Sequence, residues 1–216
     1  MTQKTSTNLV FKQMYTFPES VENHIWEMMQ EYTQKVGHKT YWLHAPAGIS
    51  RLGSIEPYID DNIVVVSFDI DPKVEPDIIG DIYNLSHEPL IWDYLQQTGV
   101  EKFDGVISDP IWIEQKRARC RNCKEMTAYK NPKGVQYHKR RYISYELRDV
   151  LKSGGIFIMN CLWNPWVKGL SKIPVVGVQT DYAEHDDLEN IQTVETIYQA
   201  FSSFRNVSLI WRFSKE

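Results

Sequence analysis

The chain has 216 residues, 42% of them hydrophobic, with a formal net charge of −4. That is enough apolar material for one full core, and a second independent domain is not expected. The opening residues hold no apolar run of signal-peptide length and no segment approaches the ~18 uninterrupted apolar residues of a membrane span, so a soluble, intracellular (cytoplasmic) protein is expected. Three cysteines are an odd and sparse set that argues against a disulfide framework.

The elements alternate. Val21, Ile25, Met28 or Met29, Tyr32 and Val36 follow helical spacing, with Ser20 placed to cap a helix that runs to Gly37. "KTYWLHA" reads as a strand, and residues 50–59 as a helix. "NIVVVSFD" is a continuous β-branched run of the kind that a strand buried on both faces needs. Leu90, Ile91, Tyr94 and Leu95 mark a helix before the strand "FDGVISD". Leu147, Val150 and Leu151 mark another, ending at "KSGG", where Gly154 supplies a left-handed turn before the strand "GIFIMNCL". A last helix spans residues 188–201 and "NVSLIWRF" closes the chain as a strand. This alternation implies an α/β fold, an open, mostly parallel sheet with helices on both faces, built as a single domain over 1–216 with an N-terminal helical extension at 1–38.

Charge is unevenly spread. Residues 116–141 carry ten Lys or Arg against one acid, Glu125, so this excursion is +9 and the remainder of the chain −13. A basic island on an acidic body is a local electrostatic footprint, and it predicts DNA or RNA as a partner, through contacts to phosphates. Tyr129 and Tyr137 add stacking surfaces; the plainer alternative is a solvated loop. Cys120-x-x-Cys123 is half of a zinc knuckle, and His138 and Cys161 would complete a tetrahedral set. A structural zinc is weighed there against free thiols in a loop, with no metal ligand assigned.

In open α/β sheets, ligands sit outside the carboxyl ends of the strands. Four such ends carry unusual residues: "LHAPAGIS", "FDIDP", "GDIYNL" and "SDPIW". Their order and spacing, over roughly residues 39–162, resemble the class I S-adenosylmethionine-dependent methyltransferases of Rossmann-like fold, and among these the amino-methyltransferases with an Asp-Pro-Pro-Trp/Tyr type of motif. The resemblance implies S-adenosylmethionine as cofactor. It lays Pro46 and Gly48 over the glycine-rich turn after the first strand, with His44 where the family has an acid. Asp69, 21 residues after Gly48, takes the place of the acid that accepts the two ribose hydroxyls, with Asp71 as the alternate. Ile70 would then lie against the adenine ring. Asp81, followed by Ile82, resembles the third acid, at the adenine amino group; a helix N-cap is its other reading.

"DPIW" matches the family motif at Asp109, Pro110 and Trp112 and departs from it at Ile111. The residue types suit the chemistry, because an exocyclic amine is a poor nucleophile while its lone pair is delocalised. The Asp109 carboxylate and the Pro110 carbonyl can accept both amine protons and favour the pyramidal nitrogen, while Trp112 stacks on the base. The expected activity is therefore methylation of an exocyclic amine of a nucleic-acid base. The alternative is a methyltransferase-like protein that binds nucleic acid, or serves as a subunit, with weak or no catalysis.

Overall fold

The computed structural model describes residues 19–49, 51–108, 112–113, 135–136, 140–160, 170–173, 177–179 and 207–215. Its helices are α1 (Glu19–Val36), α2 (Pro89–Thr98) and α3 (Arg140–Asp149). The strands, in chain order, are β1 (Thr40–His44), β2 (Ile63–Asp69), β3 (Ile78–Ile79), β4 (Phe103–Ser108), β5 (Trp112–Ile113), β6 (Val135–Gln136), β7 (Leu151–Asn160), β8 (Leu170–Ile173), β9 (Gly177–Gln179) and β10 (Val207–Lys215).

The main sheet runs in the order β3-β2-β1-β4-β7-β10-β8. From β3 to β7 every pairing is parallel, while β10 is antiparallel to β7, β8 and β9. The β-branched run of β2 lies parallel to β1, with Thr40 opposite Ile63 and His44 opposite Ser67. From β1 the chain moves to β2 and β3 on one side, then returns to place β4 and β7 on the other. The strand order thus reverses between β1 and β4, and a crevice at their carboxyl ends is the place where such sheets bind ligands. Helices cover both faces, so the observed architecture is the expected open, mostly parallel α/β sheet with helices on both faces.

On one face, α1 buries Val21, Ile25, Met29 and Tyr32 against Trp42, Ile63, Ile107 and Ile158. The apolar spacing of this helix is therefore that of a core element. Ser20 is itself helical, within Glu19–Val36, and so is not the residue ahead of the helix as its cap. Gly37, at φ 70°, ends the helix and donates its N–H to the Thr33 carbonyl at 3.0 Å. The opposite face is closed by α2 and α3, whose Ile91, Leu95, Ile143 and Leu147 pack with Leu43, Val66, Val106 and Phe157.

Two local expectations fail for identifiable reasons. The helix read over residues 50–59 does not form, and residues 51–59 run largely in turns. Gly53 sits at φ 76°, and a Cβ there would come within 2.8 Å of the Val65 side chain, so the segment turns tightly over β2. Leu52 and Tyr58 are buried beneath it, but Ile55 and Ile59 are exposed. The helix read through Leu151 ends earlier, at Asp149, because Leu151 pairs with Phe103 as the first residue of β7. While β4 advances from Phe103 to Gly105, β7 advances from Leu151 to Ile156, and Gly154 takes its left-handed φ of 76° inside that bulge. The helix expected at 188–201 lies outside the described residues.

Candidate functional site

Three strands deliver the carboxyl-edge residues. β1 ends at His44, and the turn after it is pinned on both sides: Ala45 donates its N–H to the Ile107 carbonyl and Ala47 to the Phe68 carbonyl, each at 2.9 Å. That turn reaches Gly48, which adopts φ 53°, a conformation that favours glycine. β2 ends at Asp69, and its carboxylate faces back onto the turn. Oδ2 accepts the Gly48 N–H at 2.9 Å, and Oδ1 accepts the Asp71 N–H, also at 2.9 Å. The glycine and the acid, 21 residues apart in sequence, thus form one unit.

Asp69 is 8% exposed and is held by two backbone donors. Each carboxylate oxygen has two acceptor positions, so one on each oxygen remains for an incoming hydroxyl pair. Ile70, the next residue, is exposed and offers an apolar surface beside it. Asp71 does different work: its side chain caps a short 3-10 turn, Pro72–Val74, by accepting the Lys73 N–H at 3.2 Å. That distinguishes Asp69 from Asp71 as the acid at the strand end. The sequence signal was present in "DPK", since an Asp two residues ahead of a free N–H commonly forms a turn with it.

Asp81 is exposed and caps the 3-10 segment Ile82–His87, accepting the Tyr83 N–H at 3.0 Å. Its cap role is thus realised, with the second carboxylate oxygen left over for a further donor. Ile82 is 8% exposed and belongs to the core cluster under the sheet edge. Pro46 is half-buried in the turn between β1 and Gly48.

His44, standing where the resemblance puts an acid, is 1% exposed. Burial alone pushes its imidazole down to about 3, so it is neutral under ordinary conditions. It brings no negative charge to the end of β1. Ser108, the last residue of β4, was not singled out in the sequence. It is fully buried, and its hydroxyl finds no hydrogen-bond partner among the described residues. A serine inside "GVISD" gives no sequence signal of this, because its burial depends on β1 and β7 flanking the strand.

Asp109 and Pro110 follow Ser108 directly and lie outside the described residues. Trp112 is placed by its backbone alone, in β5, which pairs parallel with β6: Trp112 is opposite Val135. This short pair brings a residue of the basic excursion back beside the motif. The rest of 116–139, including Cys120, Cys123 and His138, lies outside the described residues, as does Cys161. Among the described residues there is no group of three or more His, Cys, Asp or Glu set to hold a metal ion, and no helix is long and apolar enough to cross a membrane.

No family model matches the chain, and no curated protein matches it either. Solved structures do resemble it. An S-adenosyl-L-methionine methyl transferase from Silicibacter pomeroyi is 14% identical, with 96% of this chain and 93% of that one covered and a TM-score of 0.40. A TehB-like SAM-dependent methyltransferase from Corynebacterium glutamicum is also 14% identical, covering 86% and 87%, with a TM-score of 0.41. The N-methyltransferase NodS from Bradyrhizobium japonicum, in complex with S-adenosyl-L-homocysteine, is 12% identical over 90% of this chain and 87% of that one, with a TM-score of 0.42. Similarities of this degree concern the course of a chain and not what it binds.

Proposed function

We propose that the chain is an S-adenosylmethionine-dependent methyltransferase acting on an exocyclic amine of a DNA or RNA base. The observation that carries the reading is the Gly48 N–H on the buried Asp69 carboxylate, at the crevice where strand order reverses. The residues fit the cofactor's ribose and ring: Asp69 keeps acceptor capacity for two hydroxyls, Ile70 offers apolar contact, and Asp81 keeps an oxygen for an amino group. When bound, the cofactor supplies an electrophilic methyl group. The chain's own part is played by Asp109 and the Pro110 carbonyl, which accept the amine protons and hold its lone pair out of the ring, and by Trp112, which stacks on the base. The excursion 116–141, rejoining Trp112 through β6, suits the flanking phosphates.

Neutral His44 favours a second reading, a methyltransferase-like nucleic-acid-binding protein without catalysis, since the charge the family places there is missing. Transfer of labelled methyl from S-adenosylmethionine to DNA and RNA, followed by nucleoside analysis, separates the two. Asp109→Ala is expected to abolish transfer while leaving nucleic-acid affinity nearly unchanged. Neutralising Arg140 and Arg141 is expected to weaken binding and flatten its salt dependence, by roughly one unit of slope for each phosphate no longer neutralised. Undiminished methylation by Asp109→Ala would contradict the catalytic assignment, and an affinity indifferent to salt would remove the nucleic-acid partner.

A further inference from the structure

The opposite edge of the sheet, where the parallel strands begin, carries a cleft of about 490 Å³ that the proposed reaction does not use. Its size lies within the range of small-molecule sites. Four lysines line it, Lys39, Lys102, Lys152 and Lys215, against two carboxylates, Asp104 and Glu101.

Two of these ammonium groups are held in place by backbone carbonyls. Lys102 donates to the Asp149 carbonyl at 2.9 Å, and Lys215 to the Arg148 carbonyl at 3.1 Å and the Leu151 carbonyl at 2.5 Å. Both therefore sit on the carbonyls where α3 gives way to β7, which fixes two cations side by side. The Lys215 ammonium is pressed toward its neutral form, first by burial and then by the Lys102 charge, with Asp149 opposing and Arg148 adding to the repulsion. Asp104 gives little relief. It is 3% exposed, and its carboxylate is already occupied by the Lys152 ammonium, by His38 at 3.4 Å and by the Tyr41 N–H at 2.9 Å. Each ammonium has three donors, and among the described residues Lys102 and Lys152 use one apiece, and Lys39 none. What the cleft presents is an excess of positive charge with donors to spare, next to Tyr41 and Val100.

We infer that this cleft binds the phosphate group of a small molecule, with Lys39, Lys102, Lys152 and Lys215 around the anion and Tyr41 and Val100 against the uncharged part. Lysine is suited to phosphate as a point charge, and an anion there would relieve the crowding of Lys102 and Lys215. Neither feature depends on the crevice at the carboxyl edge.

The test is calorimetric titration of the full-length chain with inorganic phosphate, AMP and adenosine at one fixed ionic strength. Phosphate and AMP are expected to saturate one site per chain, and adenosine not to occupy it. AMP binding about tenfold tighter than phosphate would identify a nucleotide-like ligand, and equal affinities would identify free phosphate. Lys39→Gln, which alters no described hydrogen bond, should weaken both by about fivefold, and Lys102→Gln by at least as much. Asp69→Asn, at the far edge, should leave phosphate affinity unchanged. Absence of phosphate binding at millimolar concentration overturns the inference. So does AMP binding that survives Lys39→Gln and Lys102→Gln but is lost in Asp69→Asn, which would place the nucleotide in the crevice.

Discussion

Asp69→Asn separates the structural duty of one carboxylate from the ribose-binding duty proposed for it. In the structure, its two oxygens each accept one backbone N–H, from Gly48 and from Asp71, both at 2.9 Å. An amide of the same size has a single acceptor oxygen, so one of those N–H groups must face an NH₂ group. The site is 8% exposed, and water cannot readily replace the lost acceptor. A buried N–H left in that way costs ~1–3 kcal/mol, to be read as a lower urea midpoint at unchanged m. The ligand loses more specifically: hydrogen bonds from ribose hydroxyls to a charged acceptor are worth ~1.5–3 kcal/mol, so S-adenosylhomocysteine should bind about 10- to 150-fold more weakly by calorimetry. Asp81→Asn provides the contrast in stability, because that side chain is exposed and caps one N–H, for which ~1 kcal/mol or less is expected. A folded Asp69→Asn protein that matches the wild type in both urea midpoint and ligand affinity would refute the reasoning.

His44 gives a pH signature. Its folded value, about 3, lies below the ordinary 6.5, so between those limits the unfolded chain binds a proton that the folded chain does not. The stability present above pH 6.5 is therefore lost as pH falls, by up to ~1.4 kcal/mol per pH unit from this group, and His44→Gln should remove that slope from urea melts taken across the range. Gly105→Ala should destabilise by ~1–3 kcal/mol or more, because its Cβ would lie 2.0 Å from the fully buried Trp42 ring. Pairing it with Trp42→Leu should recover part of the loss, and strictly additive effects in the double-mutant cycle would argue against that contact.

Much of the sheet was legible because its signals are local. The unbroken β-branched run of β2 and the apolar run of β4 each specify a strand without reference to the rest of the chain. The period of Val21, Ile25, Met29 and Tyr32 likewise specifies α1. Residues 52, 55 and 59 imitate that period, but Leu52 alone of the three joins the core under α1, while Gly53 turns the chain and leaves Ile55 and Ile59 exposed. Val150 and Leu151 also continue a helical period; tertiary pairing with Phe103 decides otherwise. β3 is two residues long, too short for any periodicity to register. At the site, the spacing of Gly48 and Asp69 was readable, whereas the hydrogen bond between them depends on how the turn after β1 folds back. The neutrality of His44 was not readable at all, since it follows from burial by neighbouring elements and not from any adjacent residue.

The covering of one sheet face by α1 sets a timing problem for the chain. The Tyr32 hydroxyl donates to the Gly154 carbonyl at 3.3 Å across 122 positions of sequence, and the same helix packs on Ile156 and Ile158 of β7. Contacts so far apart form after a long loop has closed, which slows assembly relative to a fold whose helices cover their nearest strands. Until β7 arrives, Trp42, Ile63 and Ile107 have only part of their final cover. A chain stopped short of residue 150 therefore carries an incompletely sealed aromatic and aliphatic face, and its yield in a cell depends on what binds such a surface during synthesis.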